Sequence, residues 1–156
     1  MTQKENNLVF VPLGGTGEIG MNCNLYGYGV GNRRDWIMVD LGVTFGRHTE
    51  PGIELITADT GFIEAERDHL LALLLTHGHE DHIGAVARLW PRLKCPVYAT
   101  PFTAELVRGK TTRTAGSQLL APQQNTEPSR LTAQVIVPLM ANMATSSTGA
   151  SWTGGT

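Results

Sequence analysis

Apolar and polar positions alternate at two different periods along the first 110 residues, and the periods mark out the elements. The short apolar run LVFVPL, Leu8 to Leu13, predicts a strand closed by the glycine-rich turn GGTGEIG. From Asn22 to Tyr28 polar residues alternate with apolar ones, as in a strand with one buried face. DWIMVDLG predicts a further strand, joined to the last through VGNRRD. TADTGFIEAERD predicts a helix carrying Phe62, Ile63 and Ala65, with Thr57 or Asp59 as its cap. Leu70 to Leu75 is apolar at every position, the pattern of an inner strand covered on both faces. From about Asp81 the residues Ile83, Val86, Ala87 and Trp90 make one helical stripe, with Pro91 in its last turn. PVYAT then predicts a strand, and PFTAELVRGK a helix with Pro101 near its start. Strands alternating with helices predict an α/β layered domain.

After Lys110 the pattern stops. Residues 111–156 carry only Arg113, Glu127 and Arg130 as charges, and contain no Asp, His, Lys, Tyr or Phe. LTAQVIVPLM is compatible with a strand, and ANMATSSTGASWTGGT reads as a loose uncharged tail. The chain therefore divides into a folded part, 1–110, and a divergent low-charge tail, 111–156.

A total of 156 residues suits one domain with a modest core. The net charge of -2 gives no global attraction to nucleic acid or anionic membrane, although a local groove can be basic on a nearly neutral protein. Cys23 and Cys95 lie far apart and form no Cys-x-x-Cys pair, so a disulfide framework is not expected and a reducing cytoplasm is. MTQKENNLVF lacks the apolar core of a secretion signal, and Leu70–Leu75 is too short to span a bilayer. The expectation is a soluble cytoplasmic protein without a membrane partner.

LTHGHEDHIG places His77, His79, Asp81 and His82 within six positions, directly after the apolar strand. In an extended segment His77 and His79 leave the same face, and Gly78 lets the chain turn closely between them. Asp81 and His82 fall in the first turn of the following helix and can point back at the strand's end. Four candidate ligands thus converge at the carboxyl end of a buried strand, where open α/β sheets place their sites. Imidazole suits zinc and similar ions, and a carboxylate adds charge for a second ion. Asp40 ends WIMVD and is placed to accept a hydrogen bond from a ligand histidine's second nitrogen, fixing its tautomer.

Gly15-Thr16-Gly17-Glu18-Ile19-Gly20 fits the G-x-G-x-x-G pattern of dinucleotide-binding folds. It is rejected on context, because MNCNLYGYG follows where that motif needs a helix N-terminus facing the pyrophosphate.

LGGTGEIGMNC, VDLGVTF, FIEAER and LTHGHEDHIGA together resemble the opening motifs of ribonuclease J, a β-CASP ribonuclease of the metallo-β-lactamase superfamily. The similarity runs from about Leu8 to Lys110, with the motifs in order. It implies an αββα sandwich, of which this chain supplies the N-terminal part, and a cofactor of two zinc ions. It also implies an RNA substrate, cleaved endonucleolytically and from the 5′ end in RNA processing and decay, with oligomers in the parent family. Carried over by position, His77 and His79 would bind the first metal and Asp81 and His82 the second. Asp81 and His82 are then the candidate catalytic residues, and Asp40 matches the family's first-motif aspartate. His48 and His69 match no family ligand.

The pattern is incomplete. A full site of this kind takes a further histidine and a bridging aspartate from later strands, yet no histidine follows His82 and no aspartate follows Asp81. Glu105 and Glu127 are the only later carboxylates, and neither stands in a matching motif. With so little negative charge between them two cations repel, so one ion or none is expected. The missing β-CASP domain and second sandwich half predict an apolar sheet face left open. The break after Lys110 suggests a foreign or frame-shifted end on a truncated ribonuclease J. Two other readings remain: another hydrolase of this fold, thioesterase or lactonase, and a non-catalytic metal-binding fragment.

Overall fold

The computed structural model describes residues 6–114. Glu127 and the segments LTAQVIVPLM and ANMATSSTGASWTGGT lie outside the described residues. Strands β1 (Asn7–Gly14), β2 (Cys23–Val30) and β3 (Arg33–Val39) form an antiparallel meander. Gly31, at φ 59, opens the two-residue turn between β2 and β3, a position where that hairpin favours glycine. A small two-stranded sheet follows, β4 (Val43–Phe45) with β5 (Leu55–Thr57), and then helix α1 (Gly61–Ala65). β6 (Leu70–Leu75) returns to the large sheet, followed by α2 (Glu80–Ile83), α3 (Val86–Leu93), β7 (Val97–Ala99) and α4 (Pro101–Thr114). The strand order is β1-β2-β3-β6-β7, with β6 parallel to both β3 and β7.

One face of this sheet carries the core. Leu25, Met38, Leu73 and Leu75 meet Ile63, Ile83, Val86, Leu89, Leu93 and Val107 from the four helices in one buried cluster. The opposite face presents Leu8, Phe10 and Tyr26, which are 43, 52 and 37% exposed, with the Phe10 and Tyr26 rings 5.1 Å apart. The described residues thus form a five-stranded sheet with helices on one face and a small two-stranded sheet beside it, a mixed α/β fold.

Several expected elements change on contact with tertiary structure. Thr57 is no helix cap but the last residue of β5, paired with Val43; Asp59 instead accepts the Gly61 N–H at 2.8 Å. The helix predicted over TADTGFIEAERD shortens to α1 and a 3-10 turn at Arg67–His69. β6 is inner, but Leu71 is 46% exposed because the register slips between Trp36↔Leu70 and Ile37↔Ala72, leaving it unpaired with β3. The single helix predicted from Asp81 is broken into α2 and α3. Two long-range bonds replace a helical one: the Asp81 carbonyl accepts Asn22 N–H at 2.9 Å, and Ala85 N–H goes to the Leu41 carbonyl at 3.0 Å. α4 continues through Lys110, so the composition break falls inside a helix.

Candidate metal centre

β3 and β6 are parallel neighbours, so the residues that follow them emerge at the same end of the sheet. Asp40 follows β3 and Thr76-His77 follows β6. Asp40 takes φ 64, a left-handed conformation costly for a side-chain-bearing residue, and its N–H reaches back to the Leu74 carbonyl at 2.8 Å. That turn drives the carboxylate inward, where it is 4% exposed.

The buried carboxylate is fully engaged. Oδ1 accepts the Thr76 backbone N–H at 2.8 Å, and Oδ2 accepts His82 Nδ1–H at 2.8 Å. The Thr76 hydroxyl also donates to it, lying 3.0 and 2.9 Å from the two oxygens. A carboxylate only accepts, so His82 must carry its proton on Nδ1 and present the Nε2 lone pair outward. With its proton committed to Asp40, Thr76 Oγ1 accepts from His77 Nδ1 at 3.0 Å, which frees the His77 Nε2 lone pair as well. One aspartate therefore sets the tautomers of two histidines, directly and through a threonine.

The sequence-selected residues come together. The His77 ring centre lies 4.0 Å from that of His82 and 4.6 Å from that of His79. His77 Nε2 is 3.2 Å from His79 Nδ1, and His82 Nε2 is 3.3 Å from Asp81 Oδ2. Two donors about 2.0–2.1 Å from one tetrahedral zinc stand roughly 3.3 Å apart, so each pair has the spacing of a shared ion. The donors meet only two at a time: among the described residues no three His, Cys, Asp or Glu form a group able to hold a metal. The chemistry of the set fits a divalent ion; the number of ligands falls short of a closed site.

Two residues that the motif did not single out complete the arrangement. Asn22 Nδ2 donates to the Asp81 carbonyl at 3.0 Å and lies 3.4 Å from Asp81 Oδ2 and 3.3 Å from His82 Nε2. Thr76 links Asp40 to His77. Neither carries a ligand pattern of its own; only the glycine-rich motif LGGTGEIGMNC, which contains Asn22, gave a signal, through resemblance. Glu80, next to Asp81, is tied to Lys110. His48 lies in the loop between β4 and β5, and His69 ends the 3-10 turn, 3.4 Å from Asp35 Oδ1. Segment 15–22, the rejected dinucleotide loop, leads into β2 and not into a helix.

Both cysteines are buried and unbridged. Burial pushes the Cys23 thiol up to about 12, helped by the negative charge of nearby Asp40. Burial likewise raises Cys95 to about 11, opposed by a backbone hydrogen bond. Neither is a thiolate at neutral pH, so neither serves there as nucleophile or soft ligand.

Comparison with known proteins places this geometry. Residues 21–143 match the Metallo-beta-lactamase superfamily. Ribonuclease J of Sinorhizobium meliloti is 53% identical over 107 residues, 69% of this chain and 19% of the relative. Ribonuclease J 1 of Streptococcus pyogenes is 38% identical over 107 residues, 69% of this chain and 18% of the relative. Ribonuclease J of Corynebacterium glutamicum is 43% identical over 106 residues, 67% of this chain and 14% of the relative. The chain spans less than a fifth of the length of these relatives. A metal cofactor goes with the matched family. On the family match, the ordered motifs and the paired donors at the sheet's carboxyl end, this chain belongs to the metallo-beta-lactamase superfamily and resembles the N-terminal portion of ribonuclease J.

Proposed function

We propose that the chain carries part of the centre of a zinc-dependent hydrolase that cleaves RNA phosphodiester bonds, as the names of its relatives suggest. The reading rests on Asp40, whose contacts to His82 and Thr76 leave the Nε2 lone pairs of His82 and His77 free, one beside Asp81 and the other beside His79. His77, His79, Asp81 and His82 would hold the metal, and nitrogen-rich donors with one carboxylate suit zinc. A bound divalent ion there supplies Lewis-acid polarisation of a phosphoryl oxygen and acidifies water.

The chain's own residues supply orientation and access. Asp40 and Thr76 hold the rings, Asn22 holds the helical turn bearing Asp81, and Asp81 adds negative charge at the second donor pair. His77 and His79 are exposed, so the phosphate of a polymer can reach them. Endonucleolytic and 5′-to-3′ cleavage in a cytoplasmic setting are the activities proposed; no described helix is long and apolar enough to cross a membrane.

The two-at-a-time meeting of the donors favours one alternative, a metal-binding fragment without turnover. Metal analysis after zinc loading, with RNA and thioester cleavage assays on this chain and on His79→Ala, separates the readings. Expected is bound zinc with RNA cleavage that the variant loses by about a hundredfold or more, following loss of a metal ligand. Zinc bound without RNA turnover establishes the fragment. Thioester turnover in place of RNA cleavage establishes a different hydrolase.

A further inference from the structure

The hydrogen bonds that orient His82 and His77 lead back to Asp40 and Thr76, but His79 has no such anchor. Among the described residues its ring has one polar partner, His77, with Nδ1 and Nε2 3.2 Å apart. Where the His79 imidazole stands is therefore set by its backbone. On the carboxyl side the first turn of α2 fixes that backbone, since the His79 carbonyl accepts the N–H groups of His82 and Ile83 at 3.0 and 2.9 Å. On the amino side the neighbour is Gly78, and there α4 takes over.

Phe102, Leu106 and Lys110 stand four residues apart and share one stripe of α4. Thr103 and Val107, both buried, seat the adjoining face of the helix. The stripe meets the histidine run twice. A β-carbon on Gly78 would fall on Leu106 Cδ1, so the end of the leucine occupies the notch that the glycine leaves. Gly78 does not take a positive φ; the missing side chain serves this close approach and not a left-handed backbone. One turn further along, Lys110 pairs with Glu80. α4 thus touches the chain at positions 78 and 80, on either side of His79. The ion pair is half in solvent, where such pairs hold weakly, so the leucine carries most of the restraint.

We propose that Leu106 is a positioning residue of the metal centre: lodged against Gly78, it holds the backbone that sets the His79 ring beside His77 as a donor pair. That role rests on the reading of this centre as a metal site. Leu106 is 38% exposed and lies outside the buried core cluster, so Leu106→Ala is expected to fold, as circular dichroism checks. With the full chain in chelator and at fixed pH, the His79 Nδ1 resonance of ¹⁵N-histidine-labelled Leu106→Ala should move toward that of the exposed His48. His82 Nδ1–H, tied to Asp40, should stay in place. Zinc affinity, measured by competition with a chromophoric chelator, should fall about tenfold, as when groups that orient a ligand are lost.

Gly78→Ala puts a methyl where the leucine ends and should weaken zinc binding as well. In Gly78→Ala/Leu106→Ala the methyl enters the vacated notch, with Phe102 Cε1 at an ordinary 3.6 Å. The double variant should therefore bind zinc more tightly than either single variant, within about threefold of the parent. Losses that add in the double variant overturn the proposal, because a general loosening of the fold would add. A parent chain that binds no zinc brings down the metal reading and this proposal together. A parent that binds zinc, beside a Leu106→Ala chain with the same affinity and the same His79 resonance, sinks the proposal alone.

Discussion

Asp40 decides more of this site than any ligand does, because its two oxygens determine where the protons of His82 and His77 sit. Asp40→Asn exchanges one acceptor oxygen for a donor amide, so His82 Nδ1–H loses its partner or the ring adopts the wrong tautomer. Zinc affinity, read by competition with a chromophoric chelator, should fall about 10–100-fold with the fold retained. Thr76→Val leaves the His82–Asp40 contact and the Thr76 backbone N–H bond intact but removes the hydroxyl that donates to Asp40 and accepts from His77, so its effect should be smaller. Equal losses, or none, would show that tautomer control is not what Asp40 provides. The histidines and Asp40 are legible in the sequence because ligand chemistry demands particular side chains, and an extended strand end fixes their common direction. Asn22 and Thr76 are not, since each acts through a partner the chain brings near only on folding: Asn22 lies 59 positions from Asp81.

The elements that frame the site depend on how closely the loop after β3 approaches α2. Gly42 donates its N–H to the Asn22 carbonyl at 2.9 Å, and a β-carbon on it would fall on the carbonyl of Asp81. The obstacle is backbone, held in turn by Asn22, so it cannot rotate away. Gly42→Ala should therefore destabilise the chain by roughly 2 kcal/mol or more, in the range of overpacked cores. Among the described residues nothing lies within 4 Å of where a β-carbon on Gly109, in α4, would stand, and Gly109→Ala should be stabilising by up to about 1 kcal/mol through helix propensity. Urea midpoints of both variants check the contrast, and a Gly42→Ala protein as stable as the parent would mean that the approach is not tight. The same tertiary bonding explains what periodicity missed. The stripe from Ile83 to Trp90 is real, but the break at Gly84 and Ala85 is written in bonds to Asn22 and Leu41. β4 and β5, three residues each, are too short to show any period.

For the molecule as a whole, the two buried thiols make stability depend on alkaline pH in a definite direction. Each has an ordinary value of 9.0 and is raised in the fold, Cys95 to about 11 and Cys23 to about 12. Below pH 9 both remain protonated whether the chain is folded or not, and their contribution is fully present. Above pH 9 the unfolded chain releases these protons while the native chain keeps them, so fewer protons are bound in the unfolded state and stability falls. The decline continues through about 11 for Cys95 and 12 for Cys23, then levels off, with a slope of at most about 1.4 kcal/mol per pH unit for each thiol. The thiol share is isolated by comparison with Cys23→Ala/Cys95→Ala. That variant should be less stable at pH 8, having lost buried side chains, yet fall less steeply between pH 9 and 10.5 in urea unfolding. Parallel declines would mean that the thiols ionise as readily in the native chain as in the unfolded one. The core would then be open to hydroxide and solvent around Cys23, beside the carboxylate that orders the metal centre.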